Sequence, residues 1–447
     1  MNDHNIPSDN EQQNETADST RYFDAEELAA IDGAAQETDA LPEYDEPAAE
    51  DAPVCEDDFA PLDEGYDEVN DEALPEGEYT RVARPKSKKK RPLAVCIALQ
   101  VGKGVLALVL IAAILAAGLF GYLTVTEYYP AHAETAQRGA VTTSQKLATH
   151  SLRILSFNTG YGGLGQDADF FMDGGSGVNP DDEKTVIYNM MGIECIVEDA
   201  GADIVLLQEV DTDSARSFGH NQWLQYEYDL KNYESRYALN YSCKYVPYPL
   251  SDPMGKMNSG IATFSRYDIS SATRYSLPCP FTWPTRVANL KRCLLVTRIP
   301  IANTEQELVI VNLHLEAYDD GEGKAAQTEQ LLALLEEEYA KGNYVIAGGD
   351  FNQAFPGTTD RYPIDSADAW KPGVLEQLSG DWKYAYDDTT ATCRLLDRPY
   401  DPANSQVFVI DGYIVSPNVQ IDSVQTLNEG FVYSDHNPVL LEVTLVS

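Results

Sequence analysis

Apolar and polar positions divide the chain into parts of very different character. Residues 1–80 contain few aliphatic side chains, whereas Val105 to Val125 form an apolar run without any charged residue. A bilayer-spanning helix needs about 20 such residues, so this run predicts a transmembrane helix at 104–126. From Ser151 to Ser447, apolar runs of strand length alternate with segments of helical periodicity, which predicts one folded α/β domain.

Within that domain, the pattern predicts several buried strands and two amphipathic helices. The helices are expected at Glu183–Asp199 and Ala325–Tyr339. The strands are expected at Arg153–Phe157, Asp203–Gln208, Gly260–Phe264, Leu308–Leu315, Tyr344–Ala347, Gln406–Ile410 and Val439–Leu445. This alternation indicates stacked sheets with helices on the outside.

The segments before the domain differ sharply in charge. Residues 1–80 carry 27 acidic residues and one basic residue, and a chain of this composition is predicted to be disordered because it cannot bury enough apolar surface. Residues 81–103 form a basic juxtamembrane segment, and residues 127–150, rich in Ala, Thr and Ser, are predicted to be a linker.

The basic segment determines the predicted topology. Between Arg81 and Arg91 there are seven basic side chains and no acidic one, directly before the apolar run. Such clusters mark the cytoplasmic side of a membrane helix. The chain is therefore predicted to be a single-pass plasma-membrane protein with a cytoplasmic N-terminus and an extracellular domain at 151–447.

Charge and cysteine spacing exclude some classes of protein. The net charge is −41, and residues 151–447 carry 20 basic and 43 acidic side chains, so bulk electrostatic coating of nucleic acid is excluded. None of the seven cysteines forms a CxxC pair, which argues against a zinc knuckle or a thioredoxin-like motif. No disulfide pairing is assigned.

Five polar clusters follow the predicted strands. Polar residues at the ends of neighbouring strands meet at one edge of a sheet, so these clusters are expected to converge. They are Phe157-Asn158-Thr159, Gln208-Glu209-Val210, Asn312-Leu313-His314-Leu315, Gly349-Asp350-Phe351-Asn352 and Ser434-Asp435-His436-Asn437-Pro438.

These clusters and two further motifs resemble the endonuclease/exonuclease/phosphatase superfamily. The matching segments, in the order of that superfamily, are LSFN (155–158), LLQEV (206–210), SGIATFSR (259–266), NLHLEA (312–317), GGDFN (348–352), IDGYIVS (410–416) and SDHNPV (434–439). The resemblance implies a four-layer α/β/β/α sandwich that hydrolyses phosphoesters at one edge of its two sheets.

The resemblance also implies a divalent-metal site. Glu209 would be the principal ligand, Asn158 would lie beside the metal, and Asp435 would be a further carboxylate. Hard oxygen donors of this kind favour Mg²⁺ or Mn²⁺, with Ca²⁺ as an alternative, over a thiolate-bound metal.

The remaining motif residues would carry out the reaction. By resemblance, Asp350 would orient or deprotonate the attacking water, and Asn352 would contact the phosphate. His436, oriented by Asp411, would hydrogen-bond a phosphoryl oxygen, and His314 would stabilise charge near the scissile phosphate. Two imidazoles and a cation would together supply the positive potential that phosphoester hydrolysis requires.

The substrate stays open at this stage. A nuclease-like phosphodiesterase, a hydrolase of phospholipids or small phosphoesters, and a catalytically silent binding module are all considered, although the complete residue set disfavours the last. The basic group Arg286, Lys291 and Arg292 is equally compatible with contact to a phosphate-rich substrate and with a solvated or strand-edge role, and Tyr245 and Tyr248 receive no function. Exposed aromatics around Trp223 or Trp283 would favour lipid or base stacking.

No protein partner is predicted, and the oligomeric state is left open.

Overall fold

The computed structural model describes residues 92–446, apart from the side chain of Cys96. The acidic tail predicted at 1–80 and the basic cluster at 81–91 lie outside these residues, so both stay predictions. The described α-helices are α1 (Leu93–Val125), α2 (Glu183–Ala200), α3 (Gln222–Asp229) and α4 (Glu322–Ala340).

Helix α1 is longer than the predicted span. It begins eleven residues before 104 and is long and apolar enough to cross a membrane by length and composition. Most of its side chains are exposed, but Leu123 in its last turn is buried against the domain. The predicted boundary followed Lys103, yet a single lysine does not interrupt a helix, because its side chain can point away from the backbone.

Eighteen strands are described, and fourteen of them form two seven-stranded sheets. The first sheet has the order β1-β7-β8-β9-β10-β16-β13, and the second has the order β17-β18-β3-β4-β6-β5-β2. The strands are β1 (Ala133–Thr135), β2 (Gln137–Arg138), β3 (Ser151–Asn158), β4 (Ile204–Asp211), β5 (Glu234–Val246), β6 (Gly255–Ser265), β7 (Ser271–Ser276), β8 (Cys293–Pro300), β9 (Glu307–His314), β10 (Tyr344–Asp350), β11 (Gln353–Ala354), β12 (Gly373–Val374), β13 (Lys383–Ala385), β14 (Cys393–Arg394), β15 (Val407–Phe408), β16 (Asp411–Val415), β17 (Val419–Thr426) and β18 (Val439–Leu445).

Three apolar clusters stack these elements into four layers. Alternating residues of both sheets, such as Ile154 of β3 and Ile310 of β9, meet in the central cluster. The opposite face of the second sheet packs against α2 and α3, and the opposite face of the first sheet packs against α4. The predicted α/β/β/α sandwich is therefore confirmed.

The segment predicted as a linker, 127–150, is part of the folded domain. Its strand β1 pairs with β7 at one edge of the first sheet, and its strand β2 pairs with β5 at one edge of the second. Leu147 is also buried in the central cluster. The short side chains of this segment suggested a flexible tether, but backbone pairing does not require large side chains, so composition alone was misleading here.

The predicted strand Gln406–Ile410 is also wrong in its limits. Only Val407 and Phe408 pair, with β14 in a two-stranded ribbon, and the strand that enters the first sheet begins at Asp411. Ile410 is held outside the sheet ladder, because its N–H donates to the Thr392 hydroxyl. The other predicted strands and both predicted helices are present, with ends that differ by a few residues.

A buried amide pair connects the two sheets. The side-chain nitrogen of Gln208, on β4, donates to Oδ1 of Asn312, on β9, at 2.9 Å. The side-chain nitrogen of Asn312 donates in turn to the Ala262 carbonyl of β6 at 2.8 Å. Because both amides are completely buried, loss of one partner leaves polar groups without a hydrogen bond. The pair therefore helps to hold the sheets in one relative position, directly beside Glu209.

We predict that Asn312→Ala lowers the free energy of unfolding by about 1–3 kcal/mol, because Gln208 and Ala262 lose their buried partner. Urea denaturation of the full-length protein in detergent measures this change. Asn232→Ala is the matched control, since Asn232 is exposed, and it should change stability little. Equal effects of the two substitutions would contradict the role given to the amide pair.

Candidate active site

Strand register brings three of the predicted residues side by side. In the first sheet, Asp350 at the end of β10 is paired with His314 of β9 on one side and with Asp411 of β16 on the other. Residues that are paired in register on adjacent strands point to the same face of the sheet. The convergence expected from the polar clusters is therefore produced by the pairing of β9, β10 and β16.

The Asp350 carboxylate is the centre of the site. Its Oδ2 accepts a hydrogen bond from the side-chain nitrogen of Asn158 at 3.0 Å and lies 3.4 Å from Nε2 of His314 and 3.8 Å from Nε2 of His436. Its Oδ1 accepts the backbone N–H of Asn352 at 2.8 Å. Both sheets thus contribute groups to this one carboxylate, since Asn158 belongs to the second sheet.

Burial raises the pKa of Asp350 to about 7, and the nearby Asp411 carboxylate acts in the same direction. A carboxylate with a pKa near neutrality can accept a proton and release it again, which is the property required of a general base. The position of Asp350 and its pKa are consistent with the predicted role.

His436 is held by Asp411. Its Nδ1 lies 2.8 Å from Oδ2 of Asp411, so Nε2 is left facing Asp350 and Asn158. Burial lowers the pKa of His436, but the charge and hydrogen bond of Asp411, together with Cys393 and Asp435, raise the pKa well above its usual value. The predicted orientation by Asp411 is present, and the ring is an imidazolium that can donate from Nε2.

His314 differs from the expectation of two charged imidazoles. Burial, followed by the charges of Arg292 and His436, holds the pKa of His314 well below its usual value. The ring is therefore neutral and acts through hydrogen bonds. The site has one imidazolium, and the guanidinium groups of Arg216, Arg292 and Arg394 also line the cleft.

Six of the eight predicted residues line one cleft of about 150 Å³, namely Glu209, His314, Asp350, Asn352, Asp435 and His436. The other two, Asn158 and Asp411, are almost completely buried behind them. The side-chain nitrogen of Asn352 donates to the Leu315 carbonyl at 2.9 Å and to Oδ2 of Asp350 at 3.5 Å, so its predicted phosphate contact would replace the second of these bonds. That contact stays a prediction.

A backbone irregularity points Glu209 into the cleft. The pairing of β4 with β6 shifts register between Leu207 and Val210, and Glu209 has a φ of 56°. An extra residue at such a bulge turns one side chain away from the regular alternation of the strand. Gln208 therefore points between the sheets, and Glu209 points into the cleft.

The donor set around Glu209 and Asp435 fits a divalent metal. Burial raises the pKa of Asp435 to about 6, and the Glu209 carboxylate contributes to the increase. A Cβ atom on Gly160 would lie 2.7 Å from Oδ1 of Asp435, so glycine keeps the space beside this carboxylate free. A buried carboxylate whose pKa is raised by burial and by a second carboxylate nearby is an arrangement that a hard cation stabilises.

Several residues of the site could not be found from the sequence. Arg216 forms a bidentate ion pair with Asp211, at 2.9 and 3.0 Å, and lies 3.5 Å from Oε2 of Glu209. The Tyr318 hydroxyl donates to Asp173 at 2.9 Å, and burial raises the pKa of Asp173 to about 6. Arg216, Tyr318 and Asp173 line the cleft, and Asp211 lies behind Arg216. None of these four residues belongs to a motif that a single sequence reveals.

The basic group predicted from sequence separates into two parts. Arg292 lines the cleft and donates to the carbonyl of His314 at 3.2 Å. Arg286 and Lys291 instead form ion pairs with Glu127, directly after α1, at 2.9 and 3.3 Å. Their role is therefore structural.

Comparison with known proteins gives a family match. The sequence profile of the Endonuclease/Exonuclease/phosphatase family matches residues 187–436, which is more than half of the chain. A search of curated proteins finds no match.

Three similar solved structures are an endonuclease/exonuclease/phosphatase from Beutenbergia cavernae, another from Bacteroides vulgatus, and TDP2 from Caenorhabditis elegans. The first is 18% identical, with 67% of this chain and 72% of that chain covered and a TM-score of 0.48. The second is also 18% identical, with 66% and 99% covered and a TM-score of 0.44. The third is 17% identical, with 67% and 77% covered and a TM-score of 0.42.

We predict that the His436 imidazole of the metal-free protein keeps its proton at pH values well above the usual pKa of a histidine, because the Asp411 charge stabilises the imidazolium. Asp411→Asn removes that charge and should lower the pKa of His436 relative to the wild type, since burial is then opposed only by Cys393 and Asp435. NMR titration of the imidazole ring protons measures the pKa of His436 in the wild type and in Asp411→Asn. Asp422→Asn, an exposed carboxylate change, is the control, and an unaltered His436 titration in Asp411→Asn would contradict the pairing.

Proposed function

Because the chain belongs to the endonuclease/exonuclease/phosphatase family, we propose that it hydrolyses phosphoester bonds with a divalent metal, by attack of a water that Asp350 deprotonates. Members of this family are phosphoesterase hydrolases, and the reaction class follows from membership. Beyond the reaction class, we propose that the enzyme uses a divalent metal, that it prefers diesters, and that the site residues have the roles given below. The observation that carries it is the buried Asp350 carboxylate, surrounded by Asn158, His314 and His436.

Asp350 and His436 have complementary roles in this proposal. Ionised Asp350 accepts a proton from water, and its hydrogen bonds from Asn158 and Asn352 keep it in one orientation. The His436 imidazolium donates from Nε2 to a non-bridging phosphoryl oxygen, where negative charge accumulates in the transition state. His314, which is neutral, positions the phosphate without adding charge.

Glu209 and Asp435 would hold the metal, with Asn158 beside them. The bound ion would supply Lewis-acid stabilisation of the phosphoryl oxygens, which is why an acidic domain can act on an anionic substrate. Mg²⁺ or Mn²⁺ suits the carboxylate donors, and Ca²⁺ is the alternative. A catalytically silent binding module is disfavoured, because it would not require the Asp350, His436 and Asp411 arrangement.

We predict that the full-length protein hydrolyses bis(p-nitrophenyl) phosphate with Mg²⁺ or Mn²⁺ and that EDTA abolishes the activity. Asp350→Asn should lower kcat by about 10²–10⁴-fold, because the general base is lost. Glu209→Gln should raise the metal concentration needed for half-maximal rate, because one ligand charge is lost.

The matched control is Asp422→Asn, which should leave both quantities unchanged because the Asp422 side chain is exposed on β17 and does not line the cleft. Wild-type protein that is as inactive as Asp350→Asn on diesters, monoesters, DNA, RNA and sphingomyelin would remove the enzymatic proposal altogether.

We further propose that α1 anchors the enzyme in the plasma membrane, with the N-terminus in the cytoplasm and the catalytic domain outside. Support comes from the length and composition of α1 and from the basic residues that precede it.

Protease added to intact cells should therefore remove the catalytic domain and leave residues 1–80 protected, as antibodies against each part would detect. Cells permeabilised before the protease step are the control, in which both parts become accessible. Loss of the tail with retention of the domain in intact cells would reverse the topology.

A further inference from the structure

We propose that the cleft opens at the bilayer surface and that its substrate is the phosphodiester of a membrane phospholipid. The inference rests on the hydrolytic function and on the membrane anchor proposed above. It adds the substrate class, which is argued from how α1 is attached to the domain and from the side chains at the rim of the cleft.

The end of α1 is attached firmly to the domain. Leu123 is 2% exposed, and the Trp283 indole N–H donates to the Thr124 hydroxyl at 3.0 Å. Directly after the helix, Glu127 forms ion pairs with Arg286 and Lys291. Because strands β1 and β2 follow within a few residues, the domain has a fixed orientation relative to the end of α1.

The apolar cluster that receives α1 also forms a wall of the cleft. It contains Leu123 together with Tyr161, Phe170, Met254 and Leu396, and these four residues line the cleft. One continuous apolar cluster therefore connects the end of the helix with the site of chemistry. Because the cleft wall and the end of α1 share this cluster, the cleft is expected on the side of the domain from which α1 leaves.

The length of α1 places this side of the domain at the bilayer surface. Between Lys103 and Glu127 the chain carries no charge, and at about 1.5 Å per residue this stretch is slightly longer than the ~30 Å hydrocarbon layer. Trp283 is 57% exposed and makes an edge contact with Phe120, at 6.4 Å between ring centroids. Phe120 lies inside the apolar stretch, so Trp283 lies in the interfacial layer, where tryptophan is favoured.

Further exposed apolar side chains surround the cleft. Met172 lines it, and the neighbouring Phe171 contacts the ring of Tyr248 at 5.4 Å. Tyr248 and Leu250 are 60% and 86% exposed on the loop that leads to Met254 in the cleft wall. Single exposed apolar residues are common, but a group around one cleft beside a membrane helix is the pattern of a membrane-contact surface.

Charge favours a lipid over a nucleic acid as substrate. Residues 151–447 have 43 acidic and 20 basic side chains, which would repel a long polyanion, whereas a zwitterionic headgroup presents one phosphate. In the reaction the water oxygen bonds to phosphorus and one P–O ester bond breaks. Asp350 receives one proton from the attacking water and releases it to solvent, and the leaving alkoxide takes up one proton from solvent, so that the products are an alcohol and a phosphoryl hydroxyl.

The test uses the full-length protein in vesicles of phosphatidylcholine and phosphatidylethanolamine, with release of water-soluble choline, ethanolamine or their phosphates as the readout. Bis(p-nitrophenyl) phosphate and single- and double-stranded oligonucleotides are assayed in parallel. Leu250→Asp should lower vesicle hydrolysis by about 10-fold or more, because it places a charge in the interfacial layer. Hydrolysis of the soluble diester should stay unchanged.

Leu224→Asp is the matched control, because Leu224 is 54% exposed on α3, away from the rim, and it should alter neither rate. A second readout is independent of activity: doxyl-labelled phosphatidylcholine should quench part of the tryptophan fluorescence, and Trp283→Phe should remove that part.

The outcomes separate the two proposals. Hydrolysis of the soluble diester or of oligonucleotides without hydrolysis of vesicle lipid overturns the lipid inference and leaves the hydrolase proposal intact. Inactivity on every substrate overturns both. Equal losses in Leu250→Asp and Leu224→Asp, or quenching that persists in Trp283→Phe, overturn the membrane-contact surface.

Discussion

The site depends on one constraint, the burial of the Asp350 carboxylate where the two sheets meet. An unpaired charge in this position would cost several kcal/mol, so donors must surround it. They come from β3 in the second sheet and from the segment after β10 in the first. The carboxylate can therefore keep its position only while both sheets keep theirs, which makes the Gln208–Asn312 amide pair part of the catalytic architecture as well as of the fold.

The protonation state of each histidine in the site depends on the charged groups beside it as well as on its burial. His314 and His436 are both buried within reach of Asp350, yet they have opposite protonation states. Asp411 lies 2.8 Å from His436, whereas the charges that act most strongly on the pKa of His314 are those of the cations Arg292 and His436. Two histidines that look alike in the sequence thus become one charged donor and one neutral group.

Much of the fold could be predicted because its central strands are short and apolar. The strand Val439–Leu445 was predicted at its observed limits, and the polar clusters after the central strands do converge. Strand β5 was missed because its buried side chains include Glu234 and Arg236, which form an ion pair at 2.6 Å. Arg216 and Asp173 reach the cleft only through loop conformation, for which a single sequence carries no signal.

The pairing of residues 133–138 with both sheets has a practical consequence for isolating the domain. Strands β1 and β2 cover the outer edges of β7 and β5. A fragment that began at residue 151 would uncover the backbone of Thr273–Tyr275 in β7 and of Arg236–Tyr237 in β5, and uncovered strand edges pair readily with other chains. The smallest fragment that can stay soluble and monomeric should therefore begin close to Glu127, where the helix ends.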